Sequence, residues 1–232
     1  MTFSTPAELA RIIDHTLLKP DAGPGEFEKL CAEAAAYGFG AVVVNSSAVS
    51  LCKNLLKGTG CKVGSVVSFP LGQTAIETKV FETKQAIKDG ADEIDYVINI
   101  AELKRGNYDY LEQEMDDILS ACSRKNIVSK VIFENCYLTD DEKLFLCRLA
   151  NDYRPDFVKT STGFGPGGAT AADVALMRGE CVPAVKVKAS GGIRDLAALT
   201  LMAEAGAERI GTSAGVKIME EYKLAEMEAS CQ

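Results

Sequence analysis

Residues 184–211, AVKVKASGGIRDLAALTLMAEAGAERIG, hold one complete unit of strand, loop, helix and strand. Val185 and Val187 alternate with Lys186 and Lys188, which is the period of two of an extended strand with two different faces. Gly191-Gly192 ends that run, and Arg194-Ala205 then carries apolar residues at helical spacing. In Ala205-Gly206-Ala207-Glu208 a glycine supplies the left-handed cap that stops the helix, and Arg209-Gly211 begins the next extended run. Two strands joined through a helix lie parallel in one sheet.

Worked outward in both directions, the same unit fills the chain. The spacing predicts strands at Asp14-Leu18, Ala41-Asn45, Lys62-Ser68, Glu93-Ile98, Ser129-Glu134, Phe157-Thr160, Ala184-Lys188 and Arg209-Gly211. Helices are expected near Gly25-Tyr37, Ser47-Lys57, Thr74-Asp89, Tyr108-Lys125, Asp140-Asn151, Ala171-Arg178, Arg194-Ala205 and Ala214-Met227, with a further short helix before the first strand. Gly38 and Gly90 sit at helix-to-strand junctions like the one at Gly206. Eight such units make an α/β protein, a single (β/α)₈ TIM barrel domain over residues 1–232. An open doubly wound sheet is the alternative, and no G-x-G-x-x-G follows the first strand to favour it.

The composition fits a sizeable core, with 47% apolar residues in 232. A net charge of -8 gives no global attraction to nucleic acid or anionic lipid, so an anionic ligand needs a local site. The N-terminus lacks a basic stretch followed by an apolar core, and no apolar run reaches the roughly 18 residues of a membrane span. A cytoplasmic protein is expected, with no membrane or nucleic-acid partner. Eight scattered cysteines without a C-x-x-C pair read as reduced, mostly buried thiols. The single histidine, His15, has no partner at ligand spacing, so neither a metal nor another cofactor is expected.

Barrel chemistry sits at the C-terminal ends of the strands. Lys159 lies in the apolar run Asp156-Phe157-Val158-Lys159, with Val158 and Thr160 on the other face. A strand-end lysine that reaches solvent or pairs with a carboxylate would read the same way. Lys188, on the adjacent strand, brings a second amine to the same mouth. An amine nucleophile near neutral pH needs about 4 kcal/mol of differential stabilisation of its neutral form. A second ammonium roughly 5 Å away contributes about 3 kcal/mol at an effective dielectric near 20, and desolvation supplies the remainder. Such a lysine forms Schiff bases.

An iminium is an electron sink for carbon-carbon cleavage once a carboxylate can move protons. Asp95, among Ile94, Val97 and Ile98, and Asp14, after Ile12-Ile13, can both reach the mouth. Asp95 could equally be the counter-ion of a barrel lysine. Glycines follow strands six, seven and eight at Gly163, Gly191-Gly192 and Gly211-Thr212-Ser213, where backbone N–H groups can face a phosphate. A tight turn explains any one of these equally well. Lys186 would share the face of Lys188 but lie deeper, where a carboxylate such as Glu93 or Glu134 would have to pair with it.

Five segments in order resemble the deoxyribose-phosphate aldolases, the class I Schiff-base aldolase family. They are Asp14-His15-Thr16-Leu17-Leu18-Lys19-Pro20, Asp92-Glu93-Ile94-Asp95, Val158-Lys159-Thr160-Ser161-Thr162-Gly163-Phe164, Lys188-Ala189-Ser190-Gly191-Gly192-Ile193-Arg194 and Arg209-Ile210-Gly211-Thr212-Ser213-Ala214-Gly215. The resemblance implies a metal-free retro-aldol cleavage of 2-deoxyribose 5-phosphate into acetaldehyde and glyceraldehyde 3-phosphate. It implies Lys159 as the Schiff-base lysine, Lys188 as the lysine that perturbs it, and Asp95 as the proton relay supported by Asp14. It also implies phosphosugar contacts from Thr162, Gly163, Gly191, Gly192, Gly211, Thr212 and Ser213. The chain departs from the family at Val43 and Ser46, where cysteine and proline are common, and in a tail that ends Ala229-Ser230-Cys231-Gln232 without tyrosine. A transaldolase-like enzyme and a non-catalytic phosphosugar-binding barrel are the competing readings. The sequence admits a homodimer or homotetramer.

Overall fold

A computed structural model describes residues 3–230, with eight strands closed into a barrel. They are β1 Ile13–Leu17, β2 Ala41–Val44, β3 Lys62–Val67, β4 Glu93–Val97, β5 Val128–Ile132, β6 Phe157–Lys159, β7 Lys186–Ser190 and β8 Arg209–Thr212. Every neighbouring pair is parallel and in sequence order, and β1 closes onto β8 through Asp14 opposite Gly211. This is the (β/α)₈ barrel that the repeated unit predicts.

The outer layer comprises α1 Pro6–Arg11, α2 Pro24–Tyr37, α3 Val49–Leu55, α4 Ile76–Lys88, α5 Ile100–Lys104, α6 Tyr108–Ser123, α7 Asp140–Tyr153, α8 Ala171–Glu180, α9 Leu196–Glu204 and α10 Gly215–Ser230. Helix α1 is the expected extra helix before the first strand. Helix α5 was not anticipated: it is one turn, started by the side chain of Asn99, which accepts a hydrogen bond from the Glu102 N–H. Gly38 ends α2 at φ 72, a left-handed conformation in which its N–H reaches the Ala34 carbonyl. No helix among the described residues is long and apolar enough to cross a membrane.

The apolar core lies between the sheet and the helices. Val42, Val44, Ile94, Tyr96, Val131, Val158, Val187 and Ala189 point outward from the strands into it and are fully buried. Both faces of the sheet are therefore covered, as parallel sheets require. The seven described cysteines are free, five of them buried, and Cys136 is exposed. Cys231 and the end of the tail lie outside the described residues.

Strand β7 starts two residues later than the alternation suggests. Pro183 and Ala184 form a turn in which the Val185 N–H reaches the Val182 carbonyl at 2.9 Å. Proline is preset for such a turn. Lys186 is consequently the first residue of the strand, at the rim opposite the mouth. Its side chain is half exposed, 3.9 Å from Glu208 and over the Phe157 ring at 5.7 Å. Lys186, whose place the sequence left open, thus lies away from Glu93 and Glu134 and snorkels to solvent.

Candidate active site

Strand register brings the candidate residues together. Lys159 is the direct neighbour of Lys188 across β6 and β7. Asp95 comes from β4 and Asp14 from β1, and the side chains of all four turn into the barrel, where they are buried. Lys159 donates to Asp95 Oδ2 at 2.9 Å, and Lys188 donates to the same oxygen at 2.7 Å. Lys188 also donates to Asp14 Oδ2. Asp95 is therefore both a candidate relay and the counter-ion of two lysines, two readings that the sequence had set apart.

Three further charged residues, which sequence reasoning did not assign to the site, extend this cluster. Lys130 on β5 donates to Asp95 Oδ1 at 2.8 Å and to Glu93. Arg209, at the start of β8, reaches Asp14 Oδ1 at 2.9 Å and Glu93 Oε2 at 3.1 Å. Its guanidinium lies over the Phe157 ring, so this layer closes the barrel below the lysines. The signal was present for Lys130, a lysine framed by Ser129 and Val131 in a buried strand, just as Lys159 is framed by Val158.

Burial is the largest influence on Lys159. Loss of water pulls its ammonium from the ordinary 10.5 down to about 8, against the pull of Asp95 and with help from Lys188 and Lys130. The order of causes corrects the sequence estimate, in which the second ammonium supplied most of the effect. Lys188 is flanked by two carboxylates, which screen its charge from Lys159. A value near 8 leaves about one molecule in ten neutral at pH 7, roughly 300 times more than an ordinary lysine. Burial favours the acid form of both aspartates, but their neighbours prevail. Lys130, Lys159 and Lys188 hold Asp95 well below the usual carboxylate range, and Lys188 and Arg209 hold Asp14 at about 2.

Above Lys159 lies a cleft of about 240 Å³. Thr16, Lys19, Thr162, Gly163, Gly191, Gly192, Arg194, Gly211 and Ser213 line it. Gly163 and Gly191 both have φ 86, and the loops they belong to touch backbone to backbone, with Gly168 Cα 3.1 Å from where a Gly191 Cβ would stand. At Gly211 a Cβ would fall 3.3 Å from Lys188 Cε, so the bare α-carbon leaves room for that lysine. Thr162 is held by Glu134, whose carboxylate accepts its N–H at 3.1 Å and also its hydroxyl. The cleft does not reach Thr212. Its hydroxyl donates to the Ile193 carbonyl at 2.6 Å and accepts the Ala214 N–H at 2.9 Å, which fixes the start of the last loop. Lys19 and Arg194, both exposed, are the cations of this rim.

Buried lysines and carboxylates are paired beneath a cleft whose rim carries two cations, Lys19 and Arg194. The sequence profile of the DeoC/LacD family aldolases matches residues 9–221. The chain belongs to the DeoC/LacD aldolase family. It is similar to a deoxyribose-phosphate aldolase of Thermoanaerobacter sp. (strain X514), 53% identical over 94% of this chain and 99% of that one. Another aldolase of that name, from Bacteroides thetaiotaomicron, is 50% identical over 93% of this chain and 91% of its own. Among solved structures, the deoxyribose phosphate aldolase of Aeropyrum pernix superposes with a TM-score of 0.89 at 33% identity, covering 96% of this chain and 94% of that one. The chain is an aldolase, and the family's barrel accounts for the strand order described above.

Proposed function

We propose that this aldolase cleaves 2-deoxy-D-ribose 5-phosphate to acetaldehyde and D-glyceraldehyde 3-phosphate, with the Lys159 amine as nucleophile and no metal. The observation that carries the reading is a buried amine brought down to about 8, one hydrogen bond from an ionised carboxylate and under a glycine-lined cleft.

Neutral Lys159 adds to the C1 aldehyde of the open-chain sugar, and loss of water leaves an iminium. The C3 hydroxyl gives up its proton, the C2–C3 bond breaks, and its electron pair moves into an enamine as glyceraldehyde 3-phosphate departs. Protonation at C2 and addition of water then release acetaldehyde and free Lys159. The water lost is regained, and no oxidant or reductant is required. Asp95 does not keep a proton, because three ammonium groups surround it. Together with Lys188 and the supporting Asp14, it passes the proton between the C3 oxygen and C2. Thr162, Gly163, Gly191, Gly192, Gly211 and Ser213 shape the phosphate end of the cleft, and Lys19 and Arg194 supply its positive charge.

Glyceraldehyde 3-phosphate release from 2-deoxyribose 5-phosphate in the presence of a chelator tests this reading. Sustained turnover supports it, whereas folded protein without turnover overturns it. The rate kcat/KM should rise with pH and level off above about 8, because Lys159 attacks only when deprotonated and the acid side holds it as ammonium. A profile that falls across pH 6 to 8 would contradict this.

Replacing Lys19 and Arg194 together with alanine should raise KM for the phosphorylated sugar about 10- to 100-fold, with a smaller change in kcat. Turnover of unphosphorylated 2-deoxyribose should be unaffected, which a side-by-side steady-state comparison would check. The reading places the enzyme in the cytoplasm, in deoxyribonucleoside catabolism, as a homodimer or homotetramer. The Aeropyrum pernix relative is described as tetrameric, which supports an oligomer.

A further inference from the structure

Buried and half-buried charges in the barrel form a closed circuit. Starting from Glu93, the contacts run to Lys130, to Asp95, to Lys188, to Asp14, to Arg209 and back to Glu93. Sign alternates at every step, so three carboxylates meet three cations. Among the described residues Lys159 hangs from this circuit by one ion pair, to Asp95. Asp95 already serves Lys130 and Lys188.

We infer that Glu93, Lys130 and Arg209 are positioning residues: they close Asp95, Lys188 and Asp14 into a neutral ring, leaving Lys159, among the described residues, as the one buried cation without a carboxylate of its own. The inference rests on the reading of Lys159 as the Schiff-base amine.

Its chemical content is a choice among lysines. Three lysines meet around Asp95, and all are buried. Lys130 touches two ring carboxylates, so loss of its proton would break the alternation and strand a carboxylate; Lys188 also touches two. A proton lost from Lys159 instead brings the whole cluster to neutrality. The two lysines accordingly diverge in direction: Lys130 is pushed above its ordinary value by Asp95 and Glu93 despite burial, whereas Lys159 is brought down. The charged groups that act on Lys159 are Asp95 from β4, Lys188 from β7 and Lys130 from β5, and Asp14 from β1, Glu93 from β4 and Arg209 from β8 complete the ring behind them. Glu93 and Arg209 make no hydrogen bond or ion pair to Lys159 among the described residues; they act through the ring, so the protons are shared by a coupled set.

The test changes the ring's charge at positions remote from the substrate. Glu93→Gln leaves the ring one charge positive and should move the rising limb of kcat/KM to lower pH. Arg209→Met leaves it one charge negative and should move the limb to higher pH, each by roughly one pH unit for a charge about 8 Å away. The double variant restores neutrality and should return the limb towards its original position, while Arg209→Lys keeps the charge and should leave it in place. Borohydride trapping with acetaldehyde, followed by peptide mapping in each variant, separates the two claims. An adduct on Lys159 with opposed shifts establishes the ring. An adduct on Lys159 with no shift, or with shifts of one sign, overturns the ring and leaves the nucleophile standing. An adduct on another lysine overturns the assignment of Lys159 and the inference with it. Should one single variant not fold, the direction of the other decides the question alone.

Discussion

Lys159→Met should abolish turnover, by a factor on the order of 10⁴ to 10⁶, while leaving the protein at least as stable as the parent. The loss follows because, among the described residues, Lys159 is the one buried lysine that lines the cleft. Lys188 is ion-paired to Asp14 and Asp95, and Lys130 to Glu93 and Asp95. The retained stability follows from the same geometry. Methionine fills a similar volume without an ammonium that burial penalises, and Asp95 keeps Lys130 and Lys188 as partners. Single-turnover kinetics and thermal melts on the two proteins check both halves. A variant that lost activity through unfolding would contradict the view of Lys159 as the surplus cation.

Asp95→Asn should behave in the opposite way, with a large loss of stability and a divided effect on chemistry. The carboxylate accepts hydrogen bonds from Lys130, Lys159 and Lys188, and removing its charge leaves three buried ammonium groups sharing too few acceptors. Breaking a buried ion pair costs about 3–5 kcal/mol, which for a chain of this size lowers Tm by roughly 10 °C. Lys159 loses the partner that raises its proton affinity, so its neutral fraction grows. Schiff-base formation with acetaldehyde should therefore survive in the folded variant. Cleavage of the sugar should fall about 10²- to 10⁴-fold, the usual contribution of a positioned proton-transfer group. Equal losses in trapping and cleavage would indicate that Asp95 acts only through the fold.

How much of this was legible in the sequence follows from how far apart the interacting residues are. Alternation in Val158-Lys159-Thr160 and Val187-Lys188-Ala189 is local, and the order of parallel strands follows from their connections, so the adjacency of Lys159 and Lys188 could be expected. The carboxylate roles were less accessible. Asp14 meets Arg209 across 195 positions of sequence, a contact that exists only because β1 closes on β8. No local pattern marks such a pair.

Lys130 shows a different limit. Its strand carries the same cue as that of Lys159, yet the two lysines differ in how many carboxylates they touch, which is a property of the assembled barrel. The place of Lys186 was not legible because the start of β7 depends on the Pro183-Ala184 turn, and a two-residue change in a strand's start moves its end residues from interior to rim. Thr212, expected among the phosphate residues, has its hydroxyl committed to the Ile193 carbonyl and the Ala214 N–H, an ordinary loop-fixing role for a short polar side chain.

In the proposed reaction Lys159 is the lysine that carries the substrate. Borohydride reduction during turnover of 2-deoxyribose 5-phosphate, followed by peptide mass mapping, tests it most directly. The geometry predicts a reduced adduct on the peptide carrying Lys159 and an unmodified Lys188. An adduct on Lys188 or Lys130, or full turnover that leaves no trappable lysine, would contradict it.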